Sequence, residues 1–597
     1  FYLCKLPGST QVLALKAGTE YDDLGCDGIE NLLYWILQGN YETDYGGSEG
    51  SIGFEVDQCY EYFQSFFQNG TGKDKLVESI NGLRTKSYAI GTPRQLLLSD
   101  VVVAVIRVKI QNSSWSALPI YSESDISQWN PVLKQPKFIK ELWPAQHYLG
   151  QAGVLKGQSA IIQMPTSSGK TKAVELVIRS AFFKEASLAV IVAPFRALCH
   201  EIRDDLSLAF KDDRIEVEEL SDAMIVDFEI EKFFGGKRVI VVTPEKLLYV
   251  LRLSPELAQS IDLILFDEAH QFDSGRRGVV YELLLTSLRV ILPLNCQKVL
   301  ISAVISNAED VGNWMNGETR IVSSGDLLPS SKSIGFVSWK DTLGRIEFVT
   351  FDNPDVRKFF VPRVITRKEL SKKKRETKDR YFPEKNDPQS IAIYLGLLLV
   401  QNGGVAIFCG RKDTVVKVAG KIVDVLERQG VDSNALKASD QNEVKKLSLL
   451  TSRHLGESSI AAKSAAKGVF VHHGNLPQGL RLSTEYAMRE ERVKFVICTS
   501  TLAQGVNLPI RYLILTGVRQ GKDRIKARDF QNLIGRAGRA GMHVEGTVIF
   551  ADPKIYDEKS SWNEKWRWEE ARLLLDPSNS EPCISNLTSL FAPLLSD

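Results

Sequence analysis

Two rhythms of apolar residues divide this chain. Over residues 1 to 135, segments such as "IENLLYWILQG" and "DQCYEYFQSFFQNG" place aromatic and aliphatic side chains three and four positions apart. That is the period of a helix with one buried face. The spacing predicts a mainly helical N-terminal accessory domain. From residue 136 the rhythm changes. Short β-branched runs, "SAIIQMP", "LAVIVAP", "RVIVVTP", "IDLILFDEAH" and "KVLISAV", recur between helical stretches. Uninterrupted apolar strands of this kind belong to parallel sheets covered by helices on both faces. A second series, "GVAIFCG", "GVFVHHG", "KFVICTS", "RYLILTG" and "GTVIFAD", predicts another such sheet. The expected fold class is α/β. Two tandem parallel-sheet domains, 136–335 and 336–555, follow the helical domain, and 556–597 begins a C-terminal extension. Two such sheets in tandem make a cleft, a natural ligand site.

Composition narrows the picture. A chain of 597 residues suits two to four domains. With 44% hydrophobic and 25% charged residues, disorder is not the default. The net charge of +1 excludes a global positive field, so a nucleic-acid site must be a local surface. "TRKELSKKKRETKDRYFPEK" (366–385) reads first as a solvated charge run, with a nucleic-acid contact as the sharper alternative. The eight cysteines form no CxxC pair, which argues against a zinc ribbon or redox motif. Several lie inside apolar runs, as buried free thiols do in a reducing compartment, so a cytoplasmic location is expected. The longest apolar stretch, "LLLSDVVVAVIRVKI", is interrupted by Asp100, Arg107 and Lys109, and no membrane association is expected. The chain begins at Phe1 rather than Met, so further residues are expected upstream.

Two stretches carry chemistry. In "IIQMPTSSGKT" a buried strand runs into a tight loop and a helix, "KAVELVIRSAFF". The loop Met164, Pro165, Thr166, Ser167, Ser168 and Gly169, through its amides other than at the proline, and the helix N-terminus then face one point, which suits phosphate. Gly169 admits close approach, Lys170 reaches the β and γ phosphates of ATP, and the Thr171 hydroxyl suits Mg²⁺. The usual pattern has Gly where Met164 stands, and an ordinary strand–turn–helix is the plain alternative. In "LILFDEAHQFDSGRRG" acids follow directly on a strand. Asp267 would hold Mg²⁺ through water and Glu268 would orient or deprotonate an attacking water. A zinc site would need more ligands nearby. A glycosidase pair is disfavoured, because adjacent acids at a strand end point in different directions.

With these two stretches on the page, the chain resembles superfamily 2 helicases. Further segments match that family's motifs in order across residues 141–541: "ELWPAQ", "APFRALCHEI", "VVTPEKL", "SAVISN", "AIFCGRKDT", "CTSTLAQGVNLP" and "QNLIGRAGRAG". "TLAQGVNLP", the Arg277–Gly278 pair followed by Glu282, and "FVHHGNLP" are similar to the Ski-like branch. The resemblance implies two RecA-like domains and ATP and Mg²⁺ as cofactors. It implies Gln146 as the adenine contact, Arg536 and Arg539 as cis arginine fingers, and Gln531 as a residue placing water. Gly505 and Asn507 would approach the nucleotide sugar, and His270 and Ser302 would couple the sites. Arg196, Thr243, Arg411 and Thr499 occupy positions that contact nucleic-acid backbone. Each has an ordinary alternative: Thr243 beside Pro244 as a helix cap, Arg196 as a surface charge. The implied activity is 3′-to-5′ movement on single-stranded or tailed duplex nucleic acid, with DNA favoured over RNA. The alternatives are an RNA helicase of the exosome-helper type and a nucleotide-gated sensor that releases a partner. Motif III carries Val304 where the family commonly has Thr, which removes a hydroxyl from the coupling link. The branch continues with winged-helix and ratchet domains; here "SSWNEKWRWEEARLLL" is expected to open the next helical piece. An N-terminal addition of this kind would dock a protein effector, as in bacterial anti-phage systems.

Overall fold

A computed structural model describes residues 1–17, 28–164, 169–220, 235–273, 275–302, 304–317, 320–323, 331–373, 376–377, 379–428, 433–499, 508–521, 523–538 and 543–590. The chain forms two compact units. One gathers the described residues up to 323 and those after 581, and the other those between 331 and 581.

In the first unit, helices Ile29–Gln38 and Gly53–Asn69 appear where the aromatic spacing predicts them. Helices Pro7–Ala17, Lys73–Ile90, Pro93–Asn112, Ser114–Ser122 and Ile126–Leu133 are the other described α-helices of the N-terminal region. The longest starts at a capping box in which Thr92 and Gln95 satisfy each other's backbone amides. Seven parallel strands follow: β1 (Ala160–Gln163), β2 (Leu188–Val192), β3 (Ile215–Glu219), β4 (Lys237–Val242), β5 (Leu263–Phe266), β6 (Gln297–Ser302) and β7 (Arg320–Ser323). Their order is β3-β4-β2-β5-β6-β1-β7. The period-2 alternation of strands is visible in the packing. Ile162, Ile191, Val241, Leu265 and Val299 join a core that includes Trp35, Phe63, Trp129 and Leu133 of the N-terminal helices. Ile161, Val190, Val242, Ile264 and Leu300 face a second core with Leu247, Leu284 and Leu288.

The second unit opens on an antiparallel meander, β8 (Ser331–Lys340), β9 (Leu343–Val349) and β10 (Arg357–Thr366). A small hairpin, β11 (Lys368–Leu370) and β12 (Arg380–Phe382), comes next. The main strands are β13 (Gly404–Phe408), β14 (Phe470–His472), β15 (Phe495–Cys498) and β16 (Ile510–Leu515). After a two-residue ribbon, β17 (Arg519–Gln520) with β18 (Asp523–Arg524), comes β19 (Glu545–Phe550). The eight-stranded sheet runs β10-β9-β8-β19-β16-β13-β15-β14, and β8 pairs parallel with β19. All ten strands expected from the sequence are present. Those it did not announce are β3 and β7 at the first sheet's edges, the meander and the two small ribbons.

Among the described residues of the basic stretch 366–385, several side chains are ion-paired. Lys372 meets Asp379 at 2.6 Å, Lys373 meets Asp424 at 2.7 Å and Glu427 at 3.0 Å, and Arg380 meets Asp424 at 3.4 Å. Buried Arg428 clasps Glu376 at 2.7 Å, which holds that carboxyl down at about 2. Among the described cysteines Cys4 is exposed and the others are buried and free, and burial pushes Cys59, Cys199, Cys296 and Cys409 up to about 12. No described helix is long and apolar enough to cross a membrane.

Candidate active site

Strand β5 delivers the acids. Its four residues are fully buried and it ends at Phe266, so Asp267 and Glu268 emerge at the carboxyl edge, where open α/β sheets take ligands. The Asp267 amide donates to the Val192 carbonyl at 2.8 Å and the Glu268 amide to Asp267 Oδ1 at 2.9 Å. Glu268 adopts a left-handed backbone, φ 47°. A non-glycine residue there costs on the order of 1–3 kcal/mol and persists where its surroundings over-determine it. Those surroundings are charged and polar. Lys170 Nζ lies 3.3 Å from Glu268 Oε1 and His270 Nδ1 lies 3.5 Å from Oε2. His270, 1% exposed, also places Nδ1 3.4 Å from Ser302 Oγ at the end of β6. The Tyr281 hydroxyl donates to the Asp267 carbonyl at 3.2 Å. Burial, reinforced by the Asp267 and Glu268 charges, holds that hydroxyl well above its ordinary range, so it stays a donor.

The loop expected to bind phosphate leaves β1 at Met164. The Met164 amide donates to the Ser302 carbonyl at 3.2 Å, and its side chain is fully buried in the core shared with the N-terminal helices. The departure from Gly is therefore a packing feature. Gly169 has φ 85°, and a Cβ there would come within 2.8 Å of Gln146 Nε2. Conformation and space both demand glycine. Lys170 begins the helix Lys170–Phe183, and Thr171 is exposed on its first turn. Pro165, Thr166, Ser167 and Ser168 lie outside the described residues, as do Gly505, Asn507 and Arg539.

Gln146 is buried, and its Oε1 accepts from the Trp143 amide at 2.8 Å, which orients the amide nitrogen toward Gly169. The segment leading to it is gripped by the N-terminal helices. Lys109, 3% exposed, binds Glu141 at 2.8 Å and the Tyr41 hydroxyl at 3.1 Å, and the Tyr2 hydroxyl donates to the same carboxylate. Nothing in the sequence marked this clamp, because its partners are far apart along the chain.

In the second unit, Arg536 ends the helix Ala527–Gly535 and is 7% exposed. Glu581 accepts from the Ala527 and Arg528 amides at 2.9 and 3.2 Å, capping that helix. Gly538, φ 71°, packs so closely that a Cβ would lie 2.2 Å from the Gly546 nitrogen. Gln531 departs from the expectation. Its amide nitrogen donates to the Leu574 and Leu575 carbonyls at 2.8 and 3.1 Å. Its amide nitrogen thereby closes the end of the helix Trp566–Leu575.

The four nucleic-acid candidates separate. Arg196 and Arg411 are exposed at the starts of helices. Thr243 precedes Pro244 at a helix start, but its side chain makes no cap bond. Thr499 is buried at the end of β15, its amide donating to the His472 carbonyl at 3.2 Å. His472 itself pairs with Glu485 at 2.6 Å, and among the described residues no group of three or more His, Cys, Asp or Glu side chains is arranged to hold a metal.

Comparison with known proteins adds to this geometry. Residues 144–311 match the DEAD/DEAH box helicase family and residues 444–541 the helicase conserved C-terminal domain. The chain carries the paired domains of a superfamily 2 helicase. Both are domains of ATP-hydrolysing enzymes. The chain is 30% identical to Hachiman protein HamB of Bacillus cereus over 519 residues, covering 83% of this chain and 44% of that protein. It is 26% identical to the ATP-dependent DNA helicase Hel308 of Methanocella arvoryzae over 458 residues, covering 75% of this chain and 55% of that protein. The chain thus spans about half the length of these curated relatives. Among solved structures, the DUF1998 helicase MrfA bound to DNA has a similar fold, with TM-score 0.50 and 16% identity, covering 78% of this chain and 60% of that one.

Proposed function

We propose that this chain is the motor part of an ATP-dependent nucleic-acid helicase of the Ski-like branch, moving 3′ to 5′ along single-stranded DNA and unwinding tailed duplex. The observation that carries the reading is the meeting of Lys170, Asp267, Glu268, His270 and Ser302 at the strand ends of the first domain. Gln146 reads adenine through its amide nitrogen. Lys170 and the helix N-terminus behind it bind the ATP phosphates. Thr171 and Asp267 offer a hydroxyl and a single carboxylate, an oxygen-only set that fits Mg²⁺ shared with phosphate. Such an ion, when bound, neutralises phosphate charge. Glu268 orients and deprotonates the attacking water, and His270 holds Glu268 while touching Ser302 of motif III. Arg536 and Arg539 stabilise charge on the transferred phosphoryl oxygens. Gly505 and Asn507 approach the sugar. Arg196, Thr243, Arg411 and Thr499 track backbone phosphates without reading sequence.

The likeness to Hel308, named as a DNA helicase, favours DNA over RNA. The N-terminal helical domain is the docking face for a protein effector in a bacterial anti-phage setting, and the Hachiman relative is bacterial. Strand displacement on 3′- and 5′-tailed DNA and RNA duplexes tests the motor, and 3′-tailed DNA is the expected substrate. Val304 supports a second reading, a nucleotide-gated sensor, because it cannot join the hydroxyl link of motif III. Stimulated ATP turnover with no displacement on any duplex overturns the motor in favour of the sensor. Lys170→Ala and Glu268→Ala abolish turnover under both readings, and retained hydrolysis overturns the site.

A further inference from the structure

The chain leaves the second unit at Glu581 and rejoins the first at Pro582. What it binds there is not generic surface. Asn307 and Cys583 exchange two hydrogen bonds: the Cys583 amide donates to Asn307 Oδ1 at 2.9 Å, and Asn307 Nδ2 donates to the Cys583 carbonyl at 2.9 Å. Asn307 stands at the N-cap of the helix Ala308–Asn316, where asparagine ordinarily caps its own helix, yet it makes no such bond. Cys583, 6% exposed, lies with Sγ 3.6 Å from the His270 carbonyl. Asn586 Nδ2 donates to the Phe272 carbonyl at 2.8 Å. Glu282 Oε2 accepts from the Asn586 and Leu587 amides at 2.9 and 3.3 Å. Gly278 makes the approach possible: a Cβ there would come within 2.7 Å of Asn586 Nδ2 and 2.3 Å of the Phe272 carbonyl oxygen.

The receptors are therefore the 3-10 turn Ala269–Asp273 that carries His270, the helix behind it, and the loop after motif III. We propose that residues 582–587 form a positioning strap for the hydrolytic carboxylate, with Asn586 and Glu282 as its clasp. The strap fixes the turn through the His270 and Phe272 carbonyls. The turn fixes the imidazole, and the imidazole stands beside Glu268. Gly278 and Glu282, spaced four apart on one helix, thereby acquire a joint physical purpose: one clears room for the strap and the other receives its amides. The proposal rests on the assignment of Glu268 as the acid that activates water.

The test uses the full chain and steady-state ATP hydrolysis. Asn586→Asp sets a second carboxylate against the Phe272 carbonyl and beside Glu282. The expected result at pH 8 is a kcat about tenfold lower, a loss of about 1.4 kcal/mol of transition-state stabilisation, with KM for ATP unchanged because the phosphate loop is untouched. The loss should shrink toward pH 6 as the new carboxyl takes up a proton. Glu282→Ala should lower kcat at every pH, while Glu282→Gln, which keeps an acceptor oxygen, should retain it. If Glu282→Ala fails to fold, Asn586→Ala replaces it, since that residue is only half-buried. Unchanged kcat in Asn586→Asp, a KM that rises as far as kcat falls, or a loss equal at all pH values overturns the strap and leaves the helicase reading standing. Retained turnover in Lys170→Ala overturns that reading and the strap with it.

Discussion

Replacing Arg179 by methionine probes how the helix behind the phosphate loop is held. Arg179 is 2% exposed and uses all faces of its guanidinium. Nε donates to Glu175 at 3.0 Å, Nη1 to Asp213 at 2.8 Å and Nη2 to the Ala209 carbonyl at 2.9 Å. Its Cζ lies 4.6 Å from the Phe210 ring centre and 5.6 Å from that of Phe138. Methionine keeps the packing volume and removes the charge. Breaking a buried ion pair costs about 3–5 kcal/mol, because the remaining charge is stranded. Here two partners are partly relieved: Lys172 still reaches Glu175 at 2.8 Å, and Asp213, with 20% of its side chain exposed, can hydrate. The expected loss is therefore near the lower bound, about 3 kcal/mol. Hydrogen exchange of the helix Lys170–Phe183 reads it directly, as protection about a hundredfold weaker, since every 1.4 kcal/mol is about tenfold. Adding Glu175→Gln removes the stranded charge and should restore about half of the loss. Protection that stays within about twofold of the parent, or a double variant worse than the single one, refutes the reasoning.

Three further outcomes follow from the same geometry. Lys332 sits against the Ala537 carbonyl, and burial pushes its ammonium down to about 7, against 10.5 ordinarily. The unfolded chain holds that proton to higher pH than the folded one, so the residue's contribution makes stability rise between about pH 7 and 10.5. Lys332→Met should flatten that rise in unfolding curves of variant and parent, and identical pH slopes would count against the shift. Gly538→Ala forces alanine into a left-handed backbone and against the Gly546 nitrogen; a loss of at least about 2 kcal/mol is expected in thermal melts, with ATP turnover falling as Arg536 shifts. Val304→Thr should alter stimulation of ATP hydrolysis by nucleic acid, and unchanged stimulation and displacement would remove Val304 from the coupling argument.

The sheets were legible because a buried parallel strand leaves an unbroken apolar word, as "LAVIV" and "LILF" do. β3, "IEVEE", escaped because it lies at an edge and alternates acids with half-buried aliphatics. The meander escaped because the sequence reading marked only a change from one sheet to the next there. In the site, Lys170, Asp267 and Glu268 were legible from spacing within a dozen residues of a strand. Gln531 was not, because the helix it closes begins thirty-five residues later. The strap had no local signal at all: Cys583 and Asn586 meet partners 276 and 314 residues away.

The core shared by the N-terminal helices and one face of the first sheet bears on how this protein could have been assembled. A grafted module brings its own core and can be cut away along a wet seam. Here Trp129, Leu133 and Phe63 belong to the same apolar body as Ile162, Ile191 and Val241. Helices Lys170–Phe183 and Arg196–Ala209 also pack that face, so removing the N-terminal helices would expose the outer side of this core, and Glu141 would lose Lys109. The helical region shares its core with the first sheet domain and is not a separable addition. A change at Lys109 therefore reaches Glu141, five residues before Gln146.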